Sequence, residues 1–123
     1  MGTRVLVVDD AMFMRNTLKE IFVANGMEIA GEAANGLEAV EKYRQIKPDI
    51  TTMDIVMPFK NGIEATKEIL KDDPSANIVI CSALGQESLV IEAIEAGATD
   101  FIVKPFKADN VMQIIKKALA SRR

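Results

Sequence analysis

VLVVDDAMFMR, residues 5–15, sets an unbroken apolar run against two adjacent carboxylates, Asp9 and Asp10, where a solvent-shy strand should be ending. The same unit recurs outward along the chain. Short apolar runs that read as strands stand at RVLVV (4–8), MEIAG (27–31), DITTM (49–53), NIVIC (77–81) and DFIV (100–103). Between them apolar residues take helical spacing: Met14, Leu18, Ile21 and Phe22, then Val90, Ala93, Ile94 and Gly97, then Val111, Ile114, Ile115 and Ala118. Such stripes read as core faces before they read as cofactor contacts. Strand and helix in strict alternation imply a parallel sheet covered by helices on both faces, because parallel strands need crossover connections. The expected class is open α/β.

Local punctuation agrees. NGLEA (35–39) and NGIEA (61–65) are near repeats, each offering Asn as an N-cap with Glu three positions later. Helical rather than alternating spacing follows each pair, which favours helix starts over hairpin turns. Gly26 and Gly97 each follow a helical pattern and suit left-handed C-caps. No linker or low-complexity stretch divides the chain, so one domain over 1–123 is expected.

Composition removes several function classes. With 123 residues, one core suffices, burying roughly two thirds of the surface the unfolded chain exposes. A formal charge of −3 leaves no electrostatic footprint for nucleic acid, whose binding rests on basic contacts to phosphate. There is no His, and the one Cys, Cys81, lies in an apolar run, so zinc-ligand sets, Ser-His triads and disulfides are excluded. No signal-like N-terminus and no apolar run of bilayer length appears, so the expected address is the cytoplasm, away from membranes. Any chemistry must use carboxylates, hydroxyls, lysines or a hard metal.

In an open parallel sheet ligands bind at the carboxyl ends of the strands. The first strand delivers Asp9 and Asp10 there, the third Asp54, the fourth Ser82, and the fifth Lys104 before Pro105. Singly each has an ordinary explanation as a cap, a turn residue or a solvated charge. Together, three carboxylates are forced close, and two such charges at ~4 Å repel by about 4 kcal/mol at an effective dielectric near 20. Lys104 offers one compensating charge and an oxygen-seeking divalent cation such as Mg²⁺ offers two. Aspartate is a nucleophile toward phosphoryl groups, and a metal with a lysine neutralises the oxygens in transfer. Asp54 is the candidate acceptor, with Ser82 as a donor to the phosphoryl oxygens and Lys104 as their partner.

These residues resemble the receiver domains of two-component response regulators. VVDD, MDIVMP followed by NG, CSA and KPF carry the resemblance, which covers nearly the whole chain. DDAMFMR, GEAANGLEAVEKY, CSALGQ and DFIVKPF are similar to the single-domain chemotaxis regulators among them. The resemblance implies a flavodoxin-like doubly wound five-stranded parallel sheet, order 2-1-3-4-5, with five helices. It implies that Asp10, Asp54 and the backbone carbonyl of Val56 ligate Mg²⁺ directly, with Asp9 acting mainly through water. Asp54 would accept phosphate from a histidine kinase. Ser82 and Phe101 would form the switch, and the Lys104–Pro105 peptide would be cis. The protein would be no classical enzyme but a phosphoacceptor that self-phosphorylates from small donors and dephosphorylates itself.

Its implied output is altered binding to a flagellar motor switch or adaptor protein, read around the fourth helix, fifth strand and fifth helix, near Val90, Ile94 and Lys107. A phosphatase is a further partner, and a monomer is expected. Only SRR follows the last helical pattern, which favours a stand-alone regulator over a module of a phosphorelay or transcription regulator. Two departures stand out: Ser82 where the family more often has Thr, and Phe101 where the best-known chemotaxis members have Tyr.

Rivals fare less well. Haloacid-dehalogenase-type phosphatases need a second aspartate two positions after the nucleophile, and Val56 stands there. A flavin-binding protein of the same strand order would need a phosphate-binding turn, but DDAMFM is acidic and lacks Gly. A pseudo-receiver that signals without phosphorylation is disfavoured by the complete acidic set.

Overall fold

The computed structural model describes residues 2–121; Met1, Arg122 and Arg123, at the ends of the expected domain, lie outside the described residues. Strands β1 (Arg4–Val8), β2 (Glu28–Ala33), β3 (Ile50–Asp54), β4 (Ile78–Ser82) and β5 (Asp100–Val103) alternate with helices α1 (Met12–Ala24), α2 (Gly36–Ile46), α3 (Gly62–Asp72), α4 (Glu87–Glu95) and α5 (Ala108–Ser121). All strand pairs are parallel, in the order β2-β1-β3-β4-β5. Among the described residues no helix is long and apolar enough to cross a membrane.

The period of two in each strand splits the core. Leu6 and Val8, with Ile78 and Ile80, pack against α2, α3 and α4 through Val40, Tyr43, Ile69 and Ala93. The intervening Val5, Val7, Val79 and Cys81 pack on the other face against Leu18 and Phe22 of α1 and Val111 and Ile115 of α5. Both faces are therefore covered, which is why β1 reads as an unbroken apolar run rather than an alternating one.

Differences from the sequence reading have local causes. Strand β2 starts one residue later than expected and runs two further, because an irregularity opposite Val5 and Leu6 leaves Ala30 out of register, and pairing resumes from Gly31 through Ala33. Strands β3 and β4 each lie one residue further along, so Asp54 and Ser82 are strand residues rather than loop residues. Ile94 is not in the core: it is 39% exposed on α4.

The expected caps form. Asn35 and Asn61 accept from the backbone N–H of Glu38 and Glu64, and Asn61 with Glu64 makes a complete capping box. Gly26 and Gly97 follow α1 and α4 with φ of 79° and 116°. Helix α2 instead ends on Lys47 in the left-handed region, ahead of Pro48.

Candidate functional site

Strand order reverses between β1 and β3, and that is where the acidic residues meet. Asp9 follows β1 directly and Asp54 closes β3, on neighbouring strands. Carboxylate oxygens of Asp9, Asp10 and Asp54 all lie within 4.8 Å of one another. Asp9 and Asp54 are 1% and 6% exposed, whereas Asp10 faces solvent.

Lys104 reaches this group from β5. Strands two apart in a sheet are separated by about 9–10 Å, a gap that a four-carbon stem helps to cross. Its Nζ lies 3.0 Å from Asp9 Oδ2 and donates to Asp54 Oδ1 at 3.2 Å. The remaining contacts are backbone ones. Asp54 Oδ1 also accepts from the Ile55 N–H at 3.0 Å, and Asp9 Oδ1 accepts from the Ala11 N–H at 2.9 Å. Asp54 Oδ2 carries no protein hydrogen bond among the described residues.

Electrostatics follow from burial. Desolvation, then the charge of Asp9, pushes the Asp54 carboxyl up to about 6 from an ordinary 3.8; Lys104 opposes the rise and Asp10 adds to it. Burial works against the Lys104 ammonium, but Asp54 and Asp9 outweigh it and hold its pKa above the ordinary lysine value. The balance is three carboxylates against one ammonium.

The donor set suits Mg²⁺. All its atoms are hard oxygens, and oxygens sharing one Mg²⁺ at 2.0–2.1 Å stand about 3–4 Å apart, so a set within 4.8 Å needs only a small contraction. Asp9 Oδ2 is buried and makes no hydrogen bond, only the ion pair with Lys104, which leaves lone pairs for a cation. Val56 lies two residues past Asp54 with its side chain 57% exposed, so it has only backbone to offer.

The neighbouring chain is held by glycine. A β-carbon on Gly62, the first residue of α3, would sit 2.0 Å from the Asp54 carbonyl oxygen, and the Gly62 N–H donates to the Ile55 carbonyl at 2.7 Å. The second glycine of the near repeats plays the same part: a β-carbon on Gly36 would meet the Lys60 carbonyl oxygen at 2.1 Å.

Ser82 ends β4, next to Cys81, which pairs with Asp54. The Lys104 N–H donates to the Ser82 carbonyl at 2.7 Å, and the following Lys104–Pro105 peptide is cis. Ser82 and Phe101 line one cavity of ≈ 370 Å³ between α4 and β5, with Leu84, Val90, Ile91 and Ile94. The Phe101 ring is 40% exposed there. Lys107 is exposed ahead of α5. Cys81 is buried, which pushes its thiol far up and leaves it unreactive.

Sequence reasoning passed over Arg15. Its Nη1 donates to the Asp9 carbonyl at 2.7 Å and its Nε to Glu32 Oε1 at 2.9 Å, while Lys19 Nζ takes Glu32 Oε2 at 2.7 Å. The Lys19 hydrogen bond, joined by Arg15, holds the Glu32 carboxyl below its ordinary value despite some burial. The signal was present in DDAMFMR, six residues after Asp9, but the partner on β2 shows only in three dimensions.

Comparison with known proteins finds one family over most of the chain. The response regulator receiver domain profile matches residues 5–116. Chemotaxis protein CheY of Thermotoga maritima is 62% identical over 117 residues, covering 95% of this chain and 98% of that one. Among solved structures, the response regulator domain of Thermotoga maritima CheB superposes with a TM-score of 0.89 at 43% identity, covering 98% of each chain. The CheX–CheY–BeF3–Mg+2 complex of Borrelia burgdorferi matches with a TM-score of 0.90 at 40% identity, covering 94% of this chain and 87% of that one.

Proposed function

The chain belongs to the response regulator receiver domain family, and from that premise we propose that it is a chemotaxis response regulator switched by phosphorylation of Asp54. One observation carries the reading: Asp9, Asp10 and Asp54 converge within 4.8 Å at the strand-order reversal, with Lys104 bridging two of them.

With a pKa of about 6, Asp54 is mostly ionised at neutral pH. Its Oδ2 attacks the phosphorus of a phosphohistidine. An O–P bond forms, and the P–N bond breaks with its electron pair going to the imidazole nitrogen, which takes up a proton from solvent as it leaves. Asp9, Asp10, Asp54 and the Val56 carbonyl would hold Mg²⁺, which when bound neutralises the transferring oxygens. Lys104 trades part of its contact with Asp54 for a phosphoryl oxygen, and Ser82 donates to another.

The output lies beside the site. Ser82 drawn toward the phosphoryl group opens its end of the cavity that it shares with Phe101, and aromatic packing there needs no phenolic hydroxyl. Two charged hydrogen bonds contribute roughly 1.5–3 kcal/mol each, comparable with the about 5.5 kcal/mol that inverts a 1:99 equilibrium. The partners are a CheA-like histidine kinase, a flagellar motor switch or adaptor protein, and a phosphatase. The CheX–CheY complex of the Borrelia burgdorferi relative supports a partner of the CheX kind. The protein works in the cytoplasm, as a phosphoacceptor rather than a classical enzyme.

Intact mass after incubation with a small phosphodonor and Mg²⁺ tests the reading. One phosphoryl group should be gained by the wild type, and none by Asp54→Asn or by a chelated sample. No gain in a folded, Mg²⁺-binding wild type would make the protein a regulator that signals by binding alone.

A further inference from the structure

The seat of the metal is aimed from outside it. Asp10 is exposed, and among the described residues no hydrogen bond or ion pair reaches its carboxylate. Its direction therefore depends on the two peptides that flank it: the following one is held by the Ala11 N–H, which donates to Asp9 Oδ1 at 2.9 Å, and the preceding one carries the Asp9 carbonyl. The preceding peptide is planar, so holding the Asp9 carbonyl holds the whole plane, including the Asp10 N and Cα. The Asp9 carbonyl is held by Arg15 Nη1 at 2.7 Å. The Asp9 N–H donates to the Ala33 carbonyl of β2 at 3.1 Å, which secures the other side of the residue but not the Asp9–Asp10 peptide.

Resting on the reading that Asp9 and Asp10 take Mg²⁺, we infer that Arg15 is a positioning residue of the metal seat, transmitting the placement of Glu32 on β2 to the carboxylate of Asp10. The guanidinium suits the task because its rigid fork donates in two fixed directions, one to Glu32 Oε1 and one to the Asp9 carbonyl. Its side chain is 14% exposed against 36% for Glu32, so the bond to the buried Asp9 is the better shielded of the two. Lys19 shares Glu32 from the next turn of α1, and among the described residues no hydrogen bond or ion pair joins it to Asp9, which separates the ion pair from the positioning.

Mg²⁺ titration by calorimetry, with thermal unfolding in chelator as the folding control, tests the inference. Arg15→Gln keeps every proposed metal ligand, and its affinity should fall about tenfold, at the low end for partners that orient metal ligands. Arg15→Lys should recover only part of this, because a point charge cannot make both bonds. Lys19→Ala removes the second ion pair of Glu32 but leaves the Asp9 carbonyl held by Arg15, and should stay within about twofold of wild type. If Arg15→Gln does not fold, Glu32→Gln, which frees the guanidinium from its charged anchor, should show a smaller loss of about threefold, below the range for partners that touch the ligand residues directly. Wild-type affinity in Arg15→Gln, or an equal loss in Lys19→Ala, would overturn the positioning role. A wild type that binds no Mg²⁺ would overturn the metal reading itself.

Discussion

Gly62 and Asp54 touch backbone to backbone: a β-carbon at Gly62 would stand 2.0 Å from the Asp54 carbonyl oxygen. Glycine opens α3 there in spite of its low helix propensity, because anything larger would push the helix away from the proposed acceptor. Gly62→Ala should therefore destabilise, although Ala normally gains up to about 1 kcal/mol inside a helix. The expected loss is about 2–3 kcal/mol, or roughly 10 °C in thermal midpoint. An unchanged midpoint would mean that α3 shifts freely and that Asp54 is not held by it.

Asp54→Asn should stabilise the metal-free protein, and more so as pH rises. The folded pKa of about 6 lies above the ordinary 3.8, so the folded state takes up the Asp54 proton more readily than the unfolded state. The favourable contribution is complete below about pH 4 and is lost as pH rises through about 6. Asn does not titrate. Denaturant unfolding in chelator should show the variant's advantage growing between these limits toward a ceiling of roughly 3 kcal/mol, reduced by the water that still reaches the carboxylate. A pH-independent difference would mean that the carboxyl is not strained by its surroundings.

The parallel sheet and the rim of Asp9, Asp54, Ser82 and Lys104 were legible because strand burial and chain alternation are written locally in residue type. The extension of β2 was not: a register slip after Val5 and Ile29 depends on pairing, and Gly31 gave no sign of it beyond a missing side chain. The left-handed Lys47 escaped because αL usually draws Gly or Asn. Ile94 matched the apolar period of α4, yet whether that edge faces a helix or open water depends on the neighbouring strand. Arg15 escaped for a similar reason, since its function rests on two partners 6 and 17 residues away.

Lys104→Met should separate the lysine's two tasks. Without the ammonium, Asp9 and Asp54 face each other uncompensated, so the metal-free protein should lose about 1–3 kcal/mol at neutral pH, below the usual cost for a fully buried pair because water reaches the site. The Asp54 pKa should rise further. Mg²⁺, no longer opposed by a neighbouring cation, should bind more tightly and restore most of the lost stability. Weaker Mg²⁺ binding in the variant would mean that Lys104 shapes the seat rather than competing for it.

The cavity shared by Ser82 and Phe101 offers a direct view of the switch. The chain has no Trp, so Phe101→Trp installs a single indole at the groove, where ≈ 370 Å³ of space can receive it. In the resting state the ring should sit half in water, as Phe101 does at 40% exposure. If phosphorylation draws Ser82 away and the aromatic follows, small phosphodonor with Mg²⁺ should shift the emission to the blue, and Asp54→Asn in the same background should abolish the shift. Emission that stays constant while intact mass records a full phosphoryl gain would uncouple the groove from the site, and the output would then have to be read from another face.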